Sequence, residues 1–206
     1  MHVVEVGSSK SRLADPRDHT LSTSIEMPLA RRLAAEALGT GLLVTVVIGS
    51  GIAAAKLSPD DVGLQLLENA LATAAGLAVI ILLVSPVSGA HINPVVSIAD
   101  WWTSRRRGSG LRPAHVGAYA AAQIVGALLG ACLANLMYDL PAMTVATTTR
   151  SGWNLFLSEI IATAGLVALV FCLARSRRQA LTAPALGAYI GAAYWFTAST
   201  SFANRR

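Results

Sequence analysis

Charge is scarce in this sequence. Asp, Glu, Lys and Arg make up 13% of its 206 residues, while 54% are hydrophobic. An average soluble domain is roughly 25% charged, so a soluble globular fold is excluded at the outset. The mean hydropathy of +0.56 points the same way. Cysteine is nearly absent: Cys132 and Cys172 both lie inside apolar runs without metal-type spacing, and read as small core residues. No nucleophile–base pair or metal-ligand constellation stands out, which argues against an enzyme, and no cofactor is expected. The apolar runs do not alternate in polarity, which excludes the strands of a membrane β-barrel. The first 27 residues contain no apolar stretch of the kind a cleavable signal carries. They are expected to form a polar cytoplasmic tail, ahead of a membrane domain over 28–206.

What is present is a series of continuous apolar stretches near 33–55, 64–87, 116–137, 153–174 and 183–202. Each is about 20 residues, the length needed to cross a hydrocarbon core of about 30 Å as a helix. The basic residues sit between them, so the pI near 9.8 reflects orienting loops rather than nucleic-acid binding. Placing the N-terminus inside assigns twelve basic residues to inner segments: Lys10, Arg12, Arg17, Arg31, Arg32, Arg105, Arg106, Arg107, Arg112, Arg175, Arg177 and Arg178. Only four, Lys56, Arg150, Arg205 and Arg206, fall outside. The expectation is a multi-pass protein of the inner (cell) membrane with a cytoplasmic N-terminus.

Between the second and third runs lies "SGAHINPVVSIADWW". Asn93 is a favourable helix N-cap and Pro94 a favourable first helical residue. The apolar segment that follows ends at Trp102, about ten residues on, or roughly 15 Å of helix. That is half a bilayer, and it predicts a re-entrant half-helix with Trp101 and Trp102 near an interface.

The chain also repeats itself. "AEALGTGLLV" (35–44) aligns with "SEIIATAGLV" (158–167), pairing Glu36 with Glu159 and Thr40 with Thr163. One copy leaves the cytoplasm and the other enters it, so the repeat is inverted. Continued, it sets Ser88–Asn93 against Ser199–Asn204. After Asn93 come Pro94 and Val95; after Asn204 come Arg205 and Arg206.

These residues resemble the major intrinsic protein family, the aquaporins and aquaglyceroporins. The matching features are Ala35-Glu36 with Gly39-Thr40, "SGAHINPVVS", "YAAAQIVGA" (119–127), "SEIIATAGL" (158–166) and "FTASTSFAN" (196–204). The last is similar to arsenite-associated bacterial aquaglyceroporin-like members. The resemblance implies an all-α membrane protein, an aquaporin-like inverted-repeat helix bundle with five spans and one re-entrant half-helix. Pro-Ala, a second half-helix and a sixth span, which the family pattern has after its second box asparagine, are missing, so the expectation is a truncated chain.

The resemblance implies a passive channel for water and small uncharged solutes such as glycerol or metalloid hydroxides, inactive in truncated form. Two alternatives remain: a non-conducting subunit acting through assembly, and a secondary transporter built on inverted repeats. Asn93 and Asn204 would offer donors to solute oxygens at the pore centre, Pro94 would start the half-helix, and Val95 replaces the usual Ala of the first box. Counting back from the box asparagines puts Thr73 and Ala192 at the outer constriction. His91 reads either as lining the inner half of the pore or as capping loop contacts. Glu36 and Glu159 would hydrogen-bond the re-entrant loop backbones, and Gln123 is either a helix–helix hydrogen bond or part of a site. The implied partners are the lipid bilayer, water, small neutral solutes and, in a complete chain, three further copies in a homotetramer.

Overall fold

The computed structural model describes residues 27–105, 110–143, 152–176 and 178–197. They form six α-helices: α1 Leu29–Leu57, α2 Val62–Ser88, α3 Pro94–Ser104, α4 Pro113–Met137, α5 Trp153–Arg175 and α6 Thr182–Ala193. Among the described residues there is no strand. The polar segment 1–26 and Asn204 lie outside them.

Four helices, α1, α2, α4 and α5, are long and apolar enough to cross a membrane. The helix α3 is not: its 11 residues span roughly 16 Å. It begins where the Asn-Pro pair predicts. Asn93 is extended at φ −153° and ψ 127°, and its Oδ1 accepts from the Val95 N–H at 2.8 Å. Pro94 supplies the helical φ at a position where no N–H is needed.

The fifth span ends earlier than the hydropathy predicts. The helix α6 stops at Ala193 rather than running on to 202. Hydrogen-bonded turns prolong its path: Trp195 N–H donates to the Ala192 carbonyl at 3.1 Å and Thr197 N–H to Ala193 at 3.0 Å. The tightening begins where Tyr194, Trp195 and Phe196 enter, aromatic residues that lose side-chain freedom against a preceding helical turn. Residues 198–202 lie outside the described set.

The helix α1 packs on both α4 and α2, α2 on α6, α3 on α4, and α5 on α6. The α1–α4 seam is the closest. A methyl group on Gly126 would run into the Ala37 carbonyl, and one on Gly130 into that of Gly41. Without a strong hydrophobic drive between helices in lipid, such backbone approach is how spans gain contact energy. Thr45 reinforces the seam, with its Oγ1 in reach of both the Gly41 carbonyl at 2.8 Å and that of Gly130 at 3.1 Å.

The apolar core lies between α2 and α6. Leu77, Ile80, Ile81 and Val84 meet Ala183 and Leu186, and Ile92 enters from the loop before α3. Outward faces carry exposed Leu82, Leu83, Leu128, Leu129, Phe156 and Ile161. In water this would be an aggregation surface; in a bilayer it is the solvent-facing one.

Candidate functional site

The half-helix is delivered by a five-residue loop, 89–93, whose backbone is unusual. Gly89 has φ +90° and closes α2 with its N–H on the Ser85 carbonyl at 3.0 Å. Ala90 and Ile92 also have positive φ, at 53° and 51°. A β-branched residue in this region is a steric outlier, which surrounding structure must hold at a cost of about 1–3 kcal/mol.

The holding group is Glu36. Its side chain is fully buried, and its Oε1 accepts from His91 N–H at 2.9 Å while Oε2 accepts from Ile92 N–H at 2.7 Å. Gln123 Nε2 donates to the same Oε2 at 2.8 Å and lies 3.2 Å from Ser97 Oγ. Charge-assisted bonds of this kind are about twice as strong as neutral ones. One carboxylate of α1 thus binds the re-entrant loop and, through Gln123, ties it to α4. A second tether starts at Arg32, whose Nε donates to Tyr119 Oη at 2.7 Å, and Tyr119 donates to the Ser88 carbonyl at 3.0 Å.

These bonds consume the loop's amides. Ala90 N–H is taken by Ser88 Oγ at 3.1 Å, and the next two by Glu36. The carbonyl oxygens of 89–92 receive no donor among the described residues. Asn93 commits Oδ1 to its cap, so its Nδ2 hydrogens are the donors left over.

Residues 89–93 line a cavity of about 730 Å³. The rest of the lining is largely apolar: Leu77 and Ile81 of α2, Leu166, Val170 and Phe171 of α5, and Leu186 and Ile190 of α6. One end of the cavity is bounded by Val47, Thr73 and Tyr194, the other by Asp100, Thr103, Ser104, Arg175 and Thr182. The result is a corridor whose lining joins the polar loop to a largely apolar remainder.

Of the residues singled out from sequence, His91, Asn93 and Thr73 are in the wall. His91 Nδ1 lies 3.0 Å from Ser97 Oγ, and its ring is 5.3 Å from that of Tyr119. Pro94 and Val95 open α3 but are not wall residues, and Val95 is exposed. Ala192 is exposed and also outside the wall. The α6 positions that line the cavity are 182, 186, 190 and 194, one helical face at a four-residue repeat, and Ala192 lies between two of its members. Glu159 is half-buried on α5 and is not a wall residue. Sequence reasoning missed Tyr194 and Asp100. The four-residue spacing from Thr182 could have found Tyr194; Asp100, one residue before Trp101, had been read as part of an apolar half-helix.

A helix bundle with a re-entrant half-helix, opening onto an internal amphipathic corridor, defines the class as a membrane channel scaffold. The comparisons fix the family: the family model described as "Major intrinsic protein" matches residues 23–202, and the chain belongs to that family. Aquaglyceroporin AqpS of Rhizobium meliloti (strain 1021) is 48% identical over 180 residues, covering 87% of this chain and 74% of that protein. Probable aquaporin NIP7-1 of Arabidopsis thaliana is 32% identical over 178 residues, covering 82% and 62%. Propanediol uptake facilitator PduF of Citrobacter freundii is 36% identical over 104 residues, which is half of this chain and 36% of that protein. The expected family and all-helical fold are borne out.

Proposed function

We propose that this chain provides the pore of a passive channel for water and small uncharged solutes such as glycerol or metalloid hydroxides. The observation that carries the reading is the corridor's mixed lining. Residues 89–93, which keep backbone carbonyls and the Asn93 amide free for a solute, share the lining with Leu77, Ile81, Leu166, Val170 and Leu186. A polyol has the same asymmetry, with hydroxyls along one edge and C–H groups along the other. It can exchange water for the polar loop while its carbon side rests on the apolar lining.

The N-terminus of α3 adds partial positive charge beside Asn93. Cations are disfavoured there and solute oxygens are drawn toward it, without any bond being made or broken. Names among the relatives, an aquaglyceroporin and a propanediol uptake facilitator, support the same solute class. We place the protein in the cell membrane with its N-terminus inside, on the basic-residue count, and as a homotetramer on the family resemblance alone.

The test is stopped-flow light scattering on proteoliposomes, with the 206-residue chain and with the chain continued past Asn204 by the corresponding residues of the Rhizobium relative. The continued chain is expected to carry water and glycerol well above empty vesicles. Asn93→Asp, which puts a carboxylate where donors are needed, should lower glycerol flux at least ten-fold. Background flux from both chains would refute the channel reading, and unchanged flux in the variant would refute the role of Asn93.

A further inference from the structure

We propose that Tyr194 is a selectivity-determining residue, its hydroxyl and that of Thr73 forming a hydrogen-bonded bar across one end of the corridor. This inference rests on the channel reading above and adds a residue to it.

The two oxygens are 2.7 Å apart, joining α2 to α6 across 121 positions of sequence. Both residues line the cavity, yet Thr73 is 1% and Tyr194 2% exposed. The two hydroxyls are therefore shielded from water where they border that end of the corridor. Thr73 is fixed from behind: its Oγ1 lies 3.5 Å from Asn69 Oδ1, and Asn69 Nδ2 donates to the Val47 carbonyl at 3.1 Å. The neighbouring wall residues, Leu43, Val47, Leu77 and Ile190, have apolar side chains, so apart from the long contact of Thr73 to Asn69 the two hydroxyls depend on each other.

A solute leaving by this end must part the two oxygens. A hydroxyl-bearing solute restores what it breaks, accepting from one partner and donating to the other. A solute of similar width that turns a methyl group to the bar leaves the buried Tyr194 hydroxyl unpaired and Thr73 with only its long contact to Asn69, which is unfavourable. The bar thus selects small neutral molecules with adjacent hydroxyls. It also sets width, because the phenol ring occupies the space a larger molecule needs. Thr73 alone, without Tyr194, would leave a wider opening.

The experiment compares glycerol, acetamide and xylitol fluxes in proteoliposomes of the continued chain, normalised to folded protein by size-exclusion chromatography. Tyr194→Phe and Thr73→Val each remove one side of the bond with little change in volume. Each is expected to lower the glycerol-to-acetamide flux ratio at least three-fold. The double variant should lower it no further, since both changes delete the same interaction. Tyr194→Ala should admit xylitol, which the parent is expected to exclude. Ratios equal to the parent in both single variants, or additive shifts in the double variant, would overturn the bar while leaving the channel intact. A parent chain with no flux would overturn the channel reading and this inference with it.

Discussion

Glu36 is a fully buried side chain with three donors on its carboxyl oxygens. An isolated buried charge would be prohibitive in a membrane, so the pairing is what makes it tolerable. Its contribution is conformational, because it fixes the amides of His91 and Ile92 in a strained turn and leaves the carbonyls over. Glu36→Gln keeps the shape but replaces one acceptor oxygen with an amide that faces N–H groups. The expected cost is about 2–4 kcal/mol, the loss of one or two charge-assisted bonds. It should appear as a drop of several degrees in thermal unfolding of the detergent-solubilised protein, with loss of glycerol flux. An unchanged unfolding temperature would mean that the loop is held by the Arg32–Tyr119–Ser88 tether instead.

At the scale of elements, the α1–α4 seam decides where Glu36 sits relative to Gln123. The backbones approach so closely at Gly126 and Gly130 that no side chain fits between them. Gly126→Ala would push α4 off Ala37 and lengthen the Gln123–Glu36 bond, at about 1–3 kcal/mol for overpacking. Gly117→Ala, on the same helix with open space around it, should be neutral or slightly stabilising. Equal unfolding temperatures for the two variants would contradict the seam. Such facts divide the legible from the illegible. The start of α3 was written in two adjacent residues, Asn93 and Pro94, because capping is local chemistry. The Glu36–Gln123 bond joins residues 87 apart, and sequence reasoning left Gln123 as either a helix–helix hydrogen bond or part of a site, without naming Glu36 as its partner. The same holds for Thr73 and Tyr194. Thr73 came from counting back along the family pattern, whereas its partner depends on the rotation of α6. Ala192, placed by the same counting, turned out to lie off the cavity face. Helix ends were the other weak point: hydropathy continues through Trp195 and Phe196, while the α-helical geometry stops at Ala193.

For the whole molecule the open question of direction has a physical answer. The corridor has chemically different ends, with Thr73 and Tyr194 at one and Asp100, Ser104, Arg175 and Thr182 at the other. The basic residues near the second end, Arg105, Arg112 and Arg175, belong to the group that the charge count assigns to the cytoplasm. Moving such charges across a membrane during insertion is costly, and loops this short obey the bias. The connection between α1 and α2 at the first end holds Asp60 and Asp61, with Lys56 as the basic residue beside them in sequence. The hydroxyl bar should therefore face the outside, and solutes entering the cell should meet it first. In a background lacking Cys132 and Cys172, Asp60→Cys and Arg112→Cys each place a thiol at an exposed position on opposite ends of the bundle. A membrane-impermeant maleimide added to intact cells should label position 60 within minutes and reach position 112 only after permeabilisation. The reverse pattern would invert the protein in the membrane and put the bar at the cytoplasmic mouth. It would then filter what leaves the cell before it filters what enters.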